Sequence, residues 1–144
     1  RGTMPELSGV RGKPDGQWVA VSPVITREGT KGLYVTGWSW AAYAYRLEFA
    51  LRGSVRHQIT EAKSNDKEPL LYVFVQAADQ VYGAPASPQI NADAIAGRKL
   101  MNQLKPKQTY AEEIEITERP FGLAARQVPA LGDQVAIVVL RSET

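Results

Sequence analysis

The sequence predicts an α+β fold: a single domain in which a long helix and a second, shorter helix pack on an antiparallel sheet of about five or six strands. Three observations predict it. A β-prone hairpin over residues 18–36 runs into a long stretch of helical periodicity at 39–63. The most hydrophobic run of the chain, 70–75, has the length and composition of an interior strand. The last third then returns to strand-like alternation.

Residues 1–16 are rich in Gly, Pro and charge and are expected to be a flexible lead-in to a domain spanning 17–144. Residues 18–25 are β-prone, and Pro23 assigns the later half of that strand to an edge or a bulge. Residues 26–32 form a polar turn with two glycines, and Leu33-Tyr34-Val35-Thr36 is the returning strand. Ser39 is placed to cap the next element, its hydroxyl accepting from an early backbone N–H. From Trp40 onward, Tyr43, Leu47, Ala50, Leu51, Val55 and Ile59 trace one buried helix face. Arg46, Glu48, Arg52, Arg56 and Lys63 are assigned to the wet face, with Glu48 and Arg52 spaced for an i,i+4 pair. Gly53 costs about 1 kcal/mol inside a helix, so one bent helix and two abutting helices both remain open.

A polar loop at 64–69 ends the helix, and 70–75 follows as a strand apolar on both faces. Residues 77–89 read as a loop with two prolines and one glycine, carrying Tyr82. Asn91 is placed to cap a second helix through Ile95, Leu100, Met101 and Leu104, which Pro106 stops. Residues 113–117 alternate as a strand with one wet face, and 121–128 and 134–140 are two further strands.

Composition bounds the function. At 144 residues the chain is the usual size of one domain, and roughly 70% of the surface it exposes when unfolded becomes buried. Seventeen basic against fifteen acidic residues, interleaved along the chain, leave a net charge of +2 and argue against a nucleic-acid partner. The absence of cysteine excludes disulfides, thiolate metal sites and cysteine nucleophiles. No apolar run reaches the ~18 residues of a membrane span. The chain begins at Arg1 and reads as a piece of a longer protein, with a processed terminus as the rival explanation.

Chemistry is sparse. The single histidine, His57, sits inside the helical stretch and reads as a surface or partly packed residue. No Walker loop, GxSxG elbow, GxGxxG fingerprint or EF-hand loop is present. Ser54 reads as a local cap, and Glu113 and Glu115 share one strand face that is expected to be solvated rather than an acid–base pair. No catalytic residue, metal site or cofactor is expected. The aromatic residues are the better candidates, because Tyr and Trp combine apolar bodies with polar tips. Trp38, Trp40, Tyr43, Tyr72, Phe74 and Tyr82, with Arg46 as the nearest cation, are the candidate ligand-binding residues; core packing and a plain surface place for Arg46 are the competing readings.

The passage Trp18-Val19-Ala20-Val21-Ser22-Pro23-Val24, then Gly32-Leu33-Tyr34-Val35-Thr36-Gly37, then a helix resembles the PAS-like extracytoplasmic sensor domains, the group that includes Cache and CHASE domains. Leu71-Tyr72-Val73-Phe74-Val75 followed by Val81-Tyr82-Gly83 is similar to their later strand and its return, and 121–128 and 135–140 to their closing strands. The resemblance implies a PAS-like sheet and the sensing domain of a bacterial histidine kinase, chemoreceptor or cyclic-nucleotide enzyme. Its partners would be an unknown small-molecule ligand, flanking transmembrane helices in the full-length protein and a second copy in a homodimer. Its location would be periplasmic, with the ligand between the sheet and the 39–63 helix. Two other readings stand beside it: a cytosolic regulatory or scaffolding domain acting through a protein interface, and an unrecognised enzyme using Glu113, Glu115 or Arg46.

Overall fold

Alternating Val, Ile and Leu in the last third, and the unbroken apolar run at its centre, set up a sheet that must be covered on more than one side. The computed structural model describes residues 3–5 and 14–142, and among these it shows eight strands and two α-helices. They follow in the order β1 (Thr3–Pro5), β2 (Pro14–Thr26), β3 (Gly29–Ser39), α1 (Trp40–Glu61), β4 (Leu71–Ala77), β5 (Gln80–Gly83), α2 (Gln89–Gly97), β6 (Thr109–Ile116), β7 (Arg119–Gln127) and β8 (Val135–Ser142). The chain is α+β, as its pattern predicts. Five strands form one antiparallel sheet in the order β5-β4-β8-β7-β6.

Period-2 alternation divides the sheet into two faces. Tyr72 and Phe74 of β4, Ala136, Val138 and Leu140 of β8, Leu123 of β7 and Ile114 of β6 share one face. Ile95 of α2 and Leu100 of the short 3₁₀ turn behind it cover that face to make the main core. On the other face, Val75 and Ala77 of β4 and Val135 of β8 receive Trp40 and Ala44 of α1. Glu113 and Glu115 lie exposed on this second face at the far edge, as their alternation predicts.

The seam of α1 differs from its apolar periodicity. The buried residues are Trp40, Ala41, Ala44 and Glu48, whereas Leu47, Leu51, Val55 and Ile59 are only half-buried and Ala50 is exposed. Glu48, expected on the wet face, is instead turned onto β4. The reason is the sheet edge. β5 pairs only with residues 74–77 of β4, so among the described residues no strand lies beside 71–73 on that side. Glu48 Oε2 accepts from the Val73 N–H at 3.1 Å, and the Arg52 guanidinium donates to the Leu71 carbonyl at 2.8 and 3.2 Å. Glu48 and Arg52 are themselves paired at 3.0 Å. Together they occupy the donor and acceptor that one residue of a parallel neighbour would take.

The helix start is held as well. Ser39 caps α1 by accepting from the Ala42 N–H at 3.0 Å, as its position predicts, and its own hydroxyl donates to the buried Asp15 carboxylate. Asp15 also accepts from the N–H of Ala41 at 3.2 Å and of Gly16 at 2.9 Å, which puts an anion at the positive end of the helix dipole. Gly53 causes no break; α1 is continuous.

Four further differences follow from local geometry. The loop expected at 77–89 contains β5, reached through a tight turn in which Ala78 takes a positive φ of 59°. The second helix ends at Gly97, because Lys99 turns left-handed at φ 49° before the 3₁₀ turn. It starts at Gln89, so Asn91 is a buried helix residue rather than its cap. Finally, residues 3–5 pair with residues 14–16, inside the stretch expected to be a loose lead-in.

Glu48→Ala would leave the Val73 N–H without an acceptor and the Arg52 charge without a partner. We expect a loss of about 2–3 kcal/mol in urea denaturation, with Glu48→Gln losing clearly less. A loss below the error of the titration would mean that the pair does not hold the edge.

Candidate functional site

The candidate ligand residues fall into two groups separated by the sheet. Trp38, Trp40, Tyr43, Arg46 and Tyr82 gather at the base of the hairpin. Trp18 and Trp38 are cross-strand partners, the Arg46 guanidinium lies 4.7 Å from the Trp38 ring centroid, and Tyr43 is tilted against Trp38 at 6.4 Å. Trp40 is buried, and Tyr43 and Tyr82 pack beside it. Trp40, Tyr43 and Tyr82 pack between sheet and α1, where the ligand is expected, while Trp38 and Arg46 are exposed beside them. Tyr72 and Phe74 point to the opposite face, Phe74 fully buried in the main core and Tyr72 against Phe121 at 6.4 Å. The seven residues therefore do not line one pocket.

Concavities open at several places among the described residues. A crevice of about 100 Å³ runs around β5 beside Phe74, Tyr82 and Pro85, and it has room for a few waters. A second, of about 270 Å³, opens at the start of α2 between Tyr72, Ile90 and Phe121. An open cleft of about 660 Å³ lies at the other end of α2.

This large cleft is built from chain ends. Gln76, at the end of β4, and Gln127, at the end of β7, flank Ala136 of β8 in one row across the sheet and form the floor. Ala96, Lys99, Met101 and Asn102 descend from the end of α2 and the 3₁₀ turn. Asp79 in the β4–β5 turn and Asp133 and Gln134 before β8 form the rim. A backbone hydrogen bond from the Ala78 N–H to the Gln134 carbonyl, at 2.8 Å, ties the two rim segments together.

Gln76 is the unusual member. It is 2% exposed, and its Nε2 donates to the Ala78 carbonyl at 3.1 Å. Its Oε1 is buried without a hydrogen-bond partner. None of the cleft's polar residues was among the sequence candidates. The signal that could have found it is a glutamine closing the most apolar run of the chain, on the parity of Tyr72 and Phe74.

Elsewhere the titratable groups are dispersed. His57 is exposed and paired with Glu61 at 3.3 Å, in keeping with its reading as a surface residue. Arg46 belongs to the hairpin base, and Glu113 and Glu115 to the far edge of the sheet, so the three do not converge. Among the described residues, no group of three or more His, Asp or Glu side chains is placed to hold a metal ion. Burial raises the Tyr110 phenol above its usual range, helped by the neighbouring Glu112 carboxylate and opposed by Arg98.

In comparisons with known proteins, no family model, no curated protein and no solved structure matches this chain.

Gly16 lies where the aromatic cluster meets β2. A methyl group there would sit 2.7 Å from Tyr82 Oη and 2.9 Å from Trp40 Cδ1. Gly16→Ala is expected to cost about 1–3 kcal/mol and to shift the tryptophan emission. Wild-type stability with an unchanged spectrum would contradict this packing.

Proposed function

We propose that this domain is the extracytoplasmic small-molecule sensing part of a bacterial signal-transduction receptor, and that its ligand occupies the cleft between the end of α2 and the sheet. The observation that carries the reading is that cleft. Its volume of about 660 Å³ falls in the range of small-molecule sites, and its floor holds a buried amide oxygen in need of a donor. The sheet with a long helix on one face and a short one on the other is in keeping with the resemblance to PAS-like sensors. No helix among the described residues is long and apolar enough to cross a membrane, so the reading assigns the anchoring helices to flanking segments.

The cleft and α1 meet on the same strand. Gln76 faces the cleft, while Val75 and Ala77 beside it hold Trp40 and Ala44 of α1. A ligand that binds one arrangement of β4 better than another shifts the population by its difference in affinity, and α1 with its hairpin reports the shift.

A thermal-shift screen of metabolites is expected to find a stabiliser, which at 100 times its dissociation constant adds about 2.7 kcal/mol. Ala96→Trp, which fills the cleft from its exposed wall, should abolish the effect while leaving the unliganded melting temperature unchanged. A screen without hits, or a hit indifferent to Ala96→Trp, would sink the assignment.

One observation favours a second reading, a module that works through a protein interface. The β2–β3 hairpin belongs to a sheet separate from the five-stranded one and exposes Val21, Ile25, Leu33, Tyr34 and Val35. A two-stranded hairpin is marginal in water by itself. Under this reading the chain forms oligomers without ligand, and Val21→Ser with Leu33→Ser dissociates them in sedimentation equilibrium. A wild-type monomer at high concentration would dismiss it.

A further inference from the structure

Resting on the ligand-sensing reading, the geometry points to a compact organic amine, bound as its ammonium form, as the class of ligand the cleft takes. The argument starts from what the walls offer. The floor includes Gln76, whose Oε1 is an acceptor buried behind the cleft surface and without a partner among the described residues. The amide is not free to turn over, because its Nε2 is already committed to the Ala78 carbonyl. Whatever satisfies the oxygen must therefore be a donor.

The rim supplies charge of the matching kind. Asp79 and Asp133 both line the cleft, and neither has an ion-pair or hydrogen-bond partner among the described residues. Their segments are held side by side by the hydrogen bond between Ala78 and Gln134, each a sequence neighbour of one of the aspartates. Against these two carboxylates the lining has one cation, Lys99. An anionic ligand would meet net repulsion at the rim and an acceptor at the floor. An ammonium group meets carboxylates outside, and a second N–H or O–H on a short chain reaches the amide oxygen inside. A bare divalent cation is the weaker fit, since the described residues offer no third carboxylate or histidine.

Isothermal titration at low salt, with putrescine and ethanolamine as probes, tests this against butanediol, succinate and calcium chloride. The amines are expected to bind and the others not. Asp79→Asn and Asp133→Asn, both at exposed positions, should each weaken amine binding by roughly tenfold or more, and added salt should weaken it further. Amine binding that is unchanged in both variants overturns the assignment. So does binding of succinate, the diol or calcium in place of the amines; if that binding is lost in Ala96→Trp, the ligand-sensing reading survives and only the class is wrong. Should none of these bind while the metabolite screen yields a cleft-dependent stabiliser, the class again falls alone. Failure of both experiments removes the class and the sensing reading together.

Discussion

β4 is longer than the strand that covers its outer edge, and the way this mismatch is resolved organises the molecule. β5 ends at Gly83, opposite Phe74, so the polar groups of Leu71 and Val73 on that side need partners that no strand among the described residues provides. Left unpaired in a buried place, each would cost about 1–3 kcal/mol. Glu48 and Arg52, one turn apart on α1, supply an acceptor and a donor in the right order. Because both groups are fixed to one helix, satisfying the edge also fixes the helix. Its direction and rotation then bring Trp40 and Ala44 onto Val75 and Ala77.

The other end of α1 is held by a second polar contact, the Asp15 carboxylate at the helix start. Asp15 lies at the base of β2, so the anchor of the helix is also the anchor of the hairpin. Beyond that point, among the described residues, β2 and β3 pair with each other and briefly with β1, and their side chains are mostly exposed. The helix and the hairpin thus join at one buried carboxylate. The opposite face of the sheet follows different rules. There α2 stops at Gly97, the chain reverses at Lys99, and the space left at the strand ends becomes the large cleft.

Much of this was legible in the sequence, and the failures share a cause. Strong local signals carry the hairpin, the Ser39 cap, the continuous apolar strand at β4 and the alternation of β6, because each depends on neighbours in the chain. The spacing of Glu48 and Arg52 revealed their ion pair, but not that the pair faces inward, because the sheet edge that draws it in lies some twenty residues away. β5 was missed because four residues carry too little pattern and its turn uses Ala78 at a positive φ, where Gly or Asn is the usual signal. The aromatic residues drew attention because rings often line pockets. Here Trp40, Tyr43 and Tyr82 pack between α1, the hairpin and the sheet and Phe74 lies in the main core, whereas the cleft at the end of α2 is lined by amides and carboxylates from four separate segments. Only the tertiary fold brings those segments together.

The claim on which the rest depends is that side chains of α1 complete the edge of β4. Native-state amide hydrogen exchange at Val73 measures it directly. If Glu48 holds that N–H as a strand would, Val73 exchanges only with global unfolding, as slowly as Val75 within the paired sheet. Rapid exchange at Val73, with Val75 still protected, would contradict the account.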